Sequence, residues 1–92
     1  FNVYPAEVEA VIHRHPGVVM AAGIGMPDDV LGEVGRIYVI PKPGSNLREA
    51  DVRHWCAQHL ADYKVPRQVV LRDVLPLTPA GKIHKAALRA EL

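Results

Sequence analysis

Apolar residues recur at two spacings along this chain, and the alternation between them divides it into elements. From Pro5 to about His13, Val8, Val11 and Ile12 fall at i, i+3 and i+4, one stripe at helical spacing. Pro5 suits a first helical position and Glu7 and Glu9 favour the N-terminal end of the dipole, while Pro16-Gly17 stops the helix. Val18 to Met26 then reads as a strand in which Val18, Met20, Ala22 and Ile24 share one face, and Gly23 and Gly25 mark a close approach by another element. Pro27-Asp28-Asp29 is a turn signal. A second strand runs from about Glu33 to Ile40, and its unbroken Val39-Ile40 end predicts a central, covered position. After Lys42-Pro43-Gly44-Ser45, a helix from about Leu47 to Leu60 places Val52, Trp55, Cys56, His59 and Leu60 on one face, with Asn46 and Glu49 spaced as a capping box. Gln68 to Arg72 forms a third strand and Pro76 to Gly81 a loop. Ile83 to Leu92 closes the chain as a short helix with Ala87, Leu88 and Leu92 inward. The order α-β-β-α-β-loop-α predicts an α+β fold, a small three-stranded sheet covered by helices.

Ninety-two residues bound this to one domain, and a chain of that size buries only about 60–65% of its unfolded surface. With five aromatic residues, aliphatic side chains must fill the core. The net charge of +1 is unevenly spread: residues 1–60 hold five Lys/Arg against seven Asp/Glu, and residues 61–92 hold six against three. That basic bias suits an anionic ligand, but no basic run interleaved with aromatics points to nucleic acid. Cys56 is the single cysteine, which excludes an intrachain disulfide and fits a reducing, cytoplasmic setting. No apolar stretch is long enough to span a membrane as a helix. The chain opens at Phe1 without Met or a leader, which suggests a piece of something larger.

Several chemistries fail on spacing. His13 with His15 and His54 with His59 are not i, i+4 pairs, and Cys56 has no second thiol, so no zinc site is expected. Gly81-Lys82 resembles the end of a phosphate-binding P-loop, but Pro76 stands where the first glycine is needed and Ile83 replaces the hydroxyl residue. Ser45, the only serine, has no identifiable partner for nucleophilic work. What remains is Leu75 to Ile83: a loop stiffened by Pro76 and Pro79, bent at Gly81, presenting the cation of Lys82. Such a charge suits a reaction in which negative charge develops on a phosphoryl group.

Four ordered segments carry a resemblance. Phe1-Asn2-Val3-Tyr4-Pro5-Ala6-Glu7-Val8-Glu9, then His15-Pro16-Gly17-Val18 with Gly32-Glu33, then Leu60-Ala61-Asp62-Tyr63-Lys64-Val65-Pro66, then Pro76 to Lys82 are similar to landmarks of one domain. That domain is the C-terminal lid of the adenylate-forming superfamily of acyl- and aryl-CoA synthetases. The resemblance covers nearly the whole chain and implies a mobile lid, residues 1–92, of an AMP-forming carboxylic acid–CoA ligase. It implies that ATP, Mg2+ and the acid are bound mainly by a large N-terminal domain of the same enzyme, and that coenzyme A is the co-substrate. Lys82 matches the lysine that contacts the carboxylate and the adenylate in the first step. The lid then rotates and presents a second face for the CoA thiol, beginning at Phe1 and Asn2 and including Tyr63, Lys64 and Arg67. Leu31 and Val65 stand where some relatives carry tryptophan and arginine, and Ala80 where many carry a hydroxyl residue. Two alternatives share the fold: an adenylation domain serving a carrier protein, and an inactive interaction module.

Overall fold

The computed structural model describes residues 6–30 and 32–92, so the expectations for Phe1, Asn2, Pro5 and Leu31 lie outside the described residues. The elements are α1 (Ala6–His13), β1 (Val18–Asp28), β2 (Gly32–Pro41), α2 (Glu49–His59), a 3-10 turn (Asp62–Lys64), β3 (Gln68–Leu71) and α3 (Lys85–Ala90). The expected order and the α+β class are both present.

β2 is central, antiparallel to β1 and parallel to β3. Its side chains alternate between two apolar layers, as the pleat requires. Ile37 and Val39 join Val8, Val11 and Ile12 of α1, Val52 and Cys56 of α2, and Val69 of β3. Tyr38 points the other way, into a smaller cluster with Ala22, Ile24, Leu75 and Leu88. Ile37, Tyr38 and Val39 are each 0% exposed, so β2 is covered on both faces.

Four details differ from the sequence expectation, each for a local reason. The pairing slips between Val18 and Met20, so Val19 is an extra residue that stays half exposed. This bulge turns Val18 to the helix layer while Met20, Ala22 and Ile24 face the other cluster, breaking the expected single stripe. β1 also continues through Pro27, which pairs opposite Glu33; an edge strand tolerates a residue that cannot donate.

At α2 the cap lies two residues later than Asn46. Asn46 takes a left-handed φ of 56°, which its short polar side chain tolerates. Arg48 precedes the helix, and its backbone N–H donates to the Asp51 carboxylate at 2.9 Å. Finally, α3 begins at Lys85 because Ile83 is bridged to Leu77 instead, and Leu92 beyond it is 52% exposed.

α1 and α2 are fastened by Trp55, whose indole N–H donates to the Val11 carbonyl at 2.7 Å. Its ring packs edge-on to His15 and against His59, with centroids 4.8 and 4.3 Å apart. α1 also covers the free edge of β1. The Ala21 N–H donates to His13 Nε2 at 3.2 Å and the Gly23 N–H to Glu9 Oε2 at 2.7 Å, so two edge donors that would invite another strand are occupied. Gly23 is thus where another element approaches, as its position in the strand suggested.

Two outcomes test this packing. Trp55→Phe removes the Val11 bond while Arg14 still donates to the same carbonyl, so the loss should be about 1–2 kcal/mol. For a domain this size that corresponds to a fall in Tm of about 5–10 °C, read by thermal unfolding. Burial pushes the Cys56 thiol up from 9.0 to about 11. A raised folded value means the neutral thiol dominates below it, so at pH 8 iodoacetamide should label Cys56 only after denaturant is added. Stability gained from the buried thiol is complete below pH 9 and declines toward pH 11, because there the unfolded chain has already released its proton.

Candidate functional site

The Lys82 loop is a three-residue hairpin. The Gly81 N–H donates to the Thr78 carbonyl at 2.9 Å, closing a turn with Pro79 at the position its fixed φ favours. Gly81 then takes φ 83°, a left-handed value where a Cβ would be strained. The Thr78 N–H donates to the Lys82 carbonyl at 2.6 Å, and the Lys82 N–H returns to Thr78 Oγ1 at 3.2 Å. Leu77 and Ile83 are bridged just outside, and the His84 N–H donates to the Pro76 carbonyl at 2.8 Å. Thr78 thus holds both ends of the turn. The sequence reading passed over it, although a Thr-Pro pair before Gly is itself a turn signal.

This hairpin is anchored below by apolar burial. Leu75 is 7% exposed, and Ile83 packs on the cluster of Tyr38 and Leu88. Lys82 itself is exposed, and its ammonium has no carboxylate partner among the described residues. The other cations of the neighbourhood differ. Lys85 Nζ lies 2.8 Å from Glu9 Oε2, and Arg72 pairs with Glu91 and lies over the Tyr38 ring, 5.1 Å from its centroid.

Tyr63, Lys64 and Arg67 form a separate group around the 3-10 turn. Tyr63 is 84% exposed, and Arg67 is exposed with no ion pair among the described residues. Lys64 instead donates to Glu7 at 2.6 Å; this bond and the adjacent carboxylate hold its ammonium above the usual lysine range. Val65, next in the chain, packs into the helix layer. Lys64, through Glu7, and Val65 therefore tie this turn to the α1–α2 side, whereas Lys82 lies on the segment that covers the opposite face of the sheet.

Four of the five histidines serve structure. His13 donates through Nδ1 to the Glu9 carbonyl and accepts at Nε2, His15 Nδ1 accepts the Gly17 N–H, and His59 Nδ1 donates to the Trp55 carbonyl. His84 accepts the Ala87 N–H and caps α3. Among the described residues no group of three or more His, Cys, Asp or Glu could hold a metal ion, and no helix is long and apolar enough to cross a membrane.

Comparison with known proteins agrees with the landmarks. Residues 7–82 match the profile of the AMP-binding enzyme C-terminal domain. Over 91 residues the chain is 54% identical to a 3-[(3aS,4S,7aS)-7a-methyl-1,5-dioxo-octahydro-1H-inden-4-yl]propanoyl:CoA ligase of Rhodococcus jostii, covering 99% of this chain and 18% of that protein. It is 46% identical to a feruloyl-CoA synthase of an Amycolatopsis species, covering 96% of this chain and 18% of the relative. The solved fatty acyl CoA synthetase of Mycobacterium tuberculosis superposes with a TM-score of 0.88 at 40% identity, over 99% of this chain and 18% of that one. The chain thus spans less than a fifth of the length of these relatives. On this profile match and these identities, it belongs to the AMP-binding enzyme C-terminal domain family.

Proposed function

We propose that this domain is the mobile lid of an ATP-dependent, AMP-forming carboxylic acid–CoA ligase, and that Lys82 serves its adenylation step. The observation that carries the reading is an exposed lysine without a carboxylate partner, held at the end of a tight hairpin whose base is buried in the core. Unpaired and presented this way, the ammonium is available to a ligand bound by another domain.

In the first step a carboxylate oxygen of the acid bonds to the α-phosphorus of ATP, and the bond to the pyrophosphate leaving group breaks. Lys82 offsets the repulsion between the two anions and stabilises the charge that gathers on the phosphoryl oxygens. Its preset position reduces the ordering needed at the moment of reaction. In the second step the CoA thiol gives up its proton, its sulfur bonds to the acyl carbon, and AMP leaves. Tyr63 offers an exposed ring for the adenine of CoA, and Arg67 a fork for a CoA phosphate. Lys64, tied to Glu7, steadies the turn that presents them. That the 3-10 turn and the Lys82 hairpin are anchored to opposite layers supports a lid that turns between steps, with Phe1 and Asn2 contributing to the second face. The acid, ATP and Mg2+ are assigned to the larger domain, since this chain spans only 18% of the length of the ligases it resembles.

Turnover is measured on the full-length enzyme carrying this domain, with palmitate, ferulate and the indenyl propanoate of the Rhodococcus relative as acid probes. Lys82→Ala should lower acid-dependent ATP–pyrophosphate exchange by about 10²–10³-fold, the usual effect of removing one charge-stabilising donor. CoA transfer from a supplied acyl-adenylate should persist; exchange at the wild-type rate would reject the role of Lys82. Arg67→Ala and Tyr63→Ala should raise the KM for CoA about tenfold each, matching the loss of one charge-assisted or stacking contact, with exchange unchanged. Equal use of CoA and a pantetheine-loaded carrier protein would favour the carrier-protein alternative.

A further inference from the structure

Lys85 follows Lys82 by three residues and opens α3, a helix of only six residues. Its ammonium reaches Glu9 of α1, 76 positions earlier, at 2.8 Å. The same Glu9 oxygen accepts the Gly23 N–H of β1 at 2.7 Å. The pair is well packed for surface charges, with side-chain exposures of 33% for Lys85 and 20% for Glu9. The far end of α3 is tied by Arg72 to Glu91, beyond the buried Leu88.

The hydrogen bonds within the hairpin set its shape but leave its attachment to the domain to other groups. Apolar burial of Leu75, Ile83 and Leu88 supplies most of that attachment, and burial is non-directional. The Lys85–Glu9 contact is directional. It connects the C-terminal side of the hairpin to α1 and, through Gly23, to the sheet edge.

We infer that Glu9 and Lys85 are positioning residues for Lys82: their ion pair sets the hairpin's orientation on the domain, and so where the Lys82 ammonium arrives when the lid is in its adenylation arrangement. The inference rests on the proposed role of Lys82 and adds two residues that act through it. Because α1 also carries Glu7, the partner of Lys64, the same helix braces the turn that presents Tyr63 and Arg67. The two working faces of the lid are thereby referred to one helix.

The test uses the full-length enzyme and compares acid-dependent ATP–pyrophosphate exchange with CoA transfer from a supplied acyl-adenylate, alongside thermal unfolding. Lys85→Met and Glu9→Gln should each reduce the kcat of exchange by about 10–100-fold, the range expected when a reacting group is displaced by an ångström or less. Glu9→Gln keeps an oxygen for the Gly23 N–H and removes only the charge. CoA transfer should change less than twofold, the Glu9→Gln/Lys85→Met double variant should be no worse than either single one, and Lys85→Arg should restore exchange to within about threefold of wild type. Glu91→Gln removes a comparable ion pair at the other end of α3 and should leave the ratio of the two half-reactions unaltered. If Lys82→Ala abolishes exchange while Lys85→Met stays within twofold of wild type, the positioning role is overturned and the function of Lys82 stands. If Lys85→Met lowers both half-reactions together, or behaves as Glu91→Gln does, the pair serves stability alone and the inference fails. If Lys82→Ala exchanges normally, the proposed function fails and this inference with it.

Discussion

β2 is buried on both faces, and each face needs its own cover. α1 and α2 supply one layer from residues before β3. The segment after β3 provides the cover for the other face. A six-residue helix is too short to do this alone, so the segment before it contributes Leu75 and Ile83 beside Leu88. The hairpin bearing Lys82 is therefore part of the core covering. Its polar tip is exposed because its apolar base is not, and ordering the lysine's backbone comes at little additional entropic cost once that base has folded.

Covering the faces leaves the edge of β1. Its outward N–H groups at Ala21 and Gly23 are met by side chains of α1, one imidazole and one carboxylate. A helix laid along an edge strand normally contributes bulk; here it contributes acceptors too. Glu9 gains a second role from that placement, because a carboxylate held at the sheet edge lies within reach of the chain returning over the far face. The Lys85 contact follows from the topology as much as from the sequence near Lys82.

The features legible in the sequence were those that depend on neighbours a few residues away. Val8, Val11 and Ile12 gave α1, and Val52 with Cys56 gave α2, because helical spacing is a local property. The apolar run of β2 announced a central strand for the same reason. The bulge at Val19 was hidden, since alternation along β1 shows a face only once the pairing with β2 is known. Asn46 was misread because one residue type serves both as a cap and as a left-handed turn, and only the backbone distinguishes them. Ile83 fits a helix start and a bridge equally well until Leu77 is found opposite it. Lys82 is singled out as a candidate by its place among four ordered landmarks; the Glu9–Lys85 tie, joining residues 76 positions apart, has no local signature.

Charge in the last third of the chain becomes more informative once partners are assigned. Of the six cations after residue 60, Lys64, Arg72 and Lys85 are paired with Glu7, Glu91 and Glu9, and Arg89 also interacts within the chain. Lys82 and Arg67 have no carboxylate partner among the described residues. The basic bias therefore does not describe a diffuse positive surface that would attract anions anywhere. Two of its points are exposed Lys82, on a stiff hairpin, and exposed Arg67, just after the 3-10 turn. The proposed lid, meeting two anionic ligands in succession, would call for separated charges of that kind. Pairing Lys64, Arg72 and Lys85 internally also lowers the attraction of an anion to the rest of the domain.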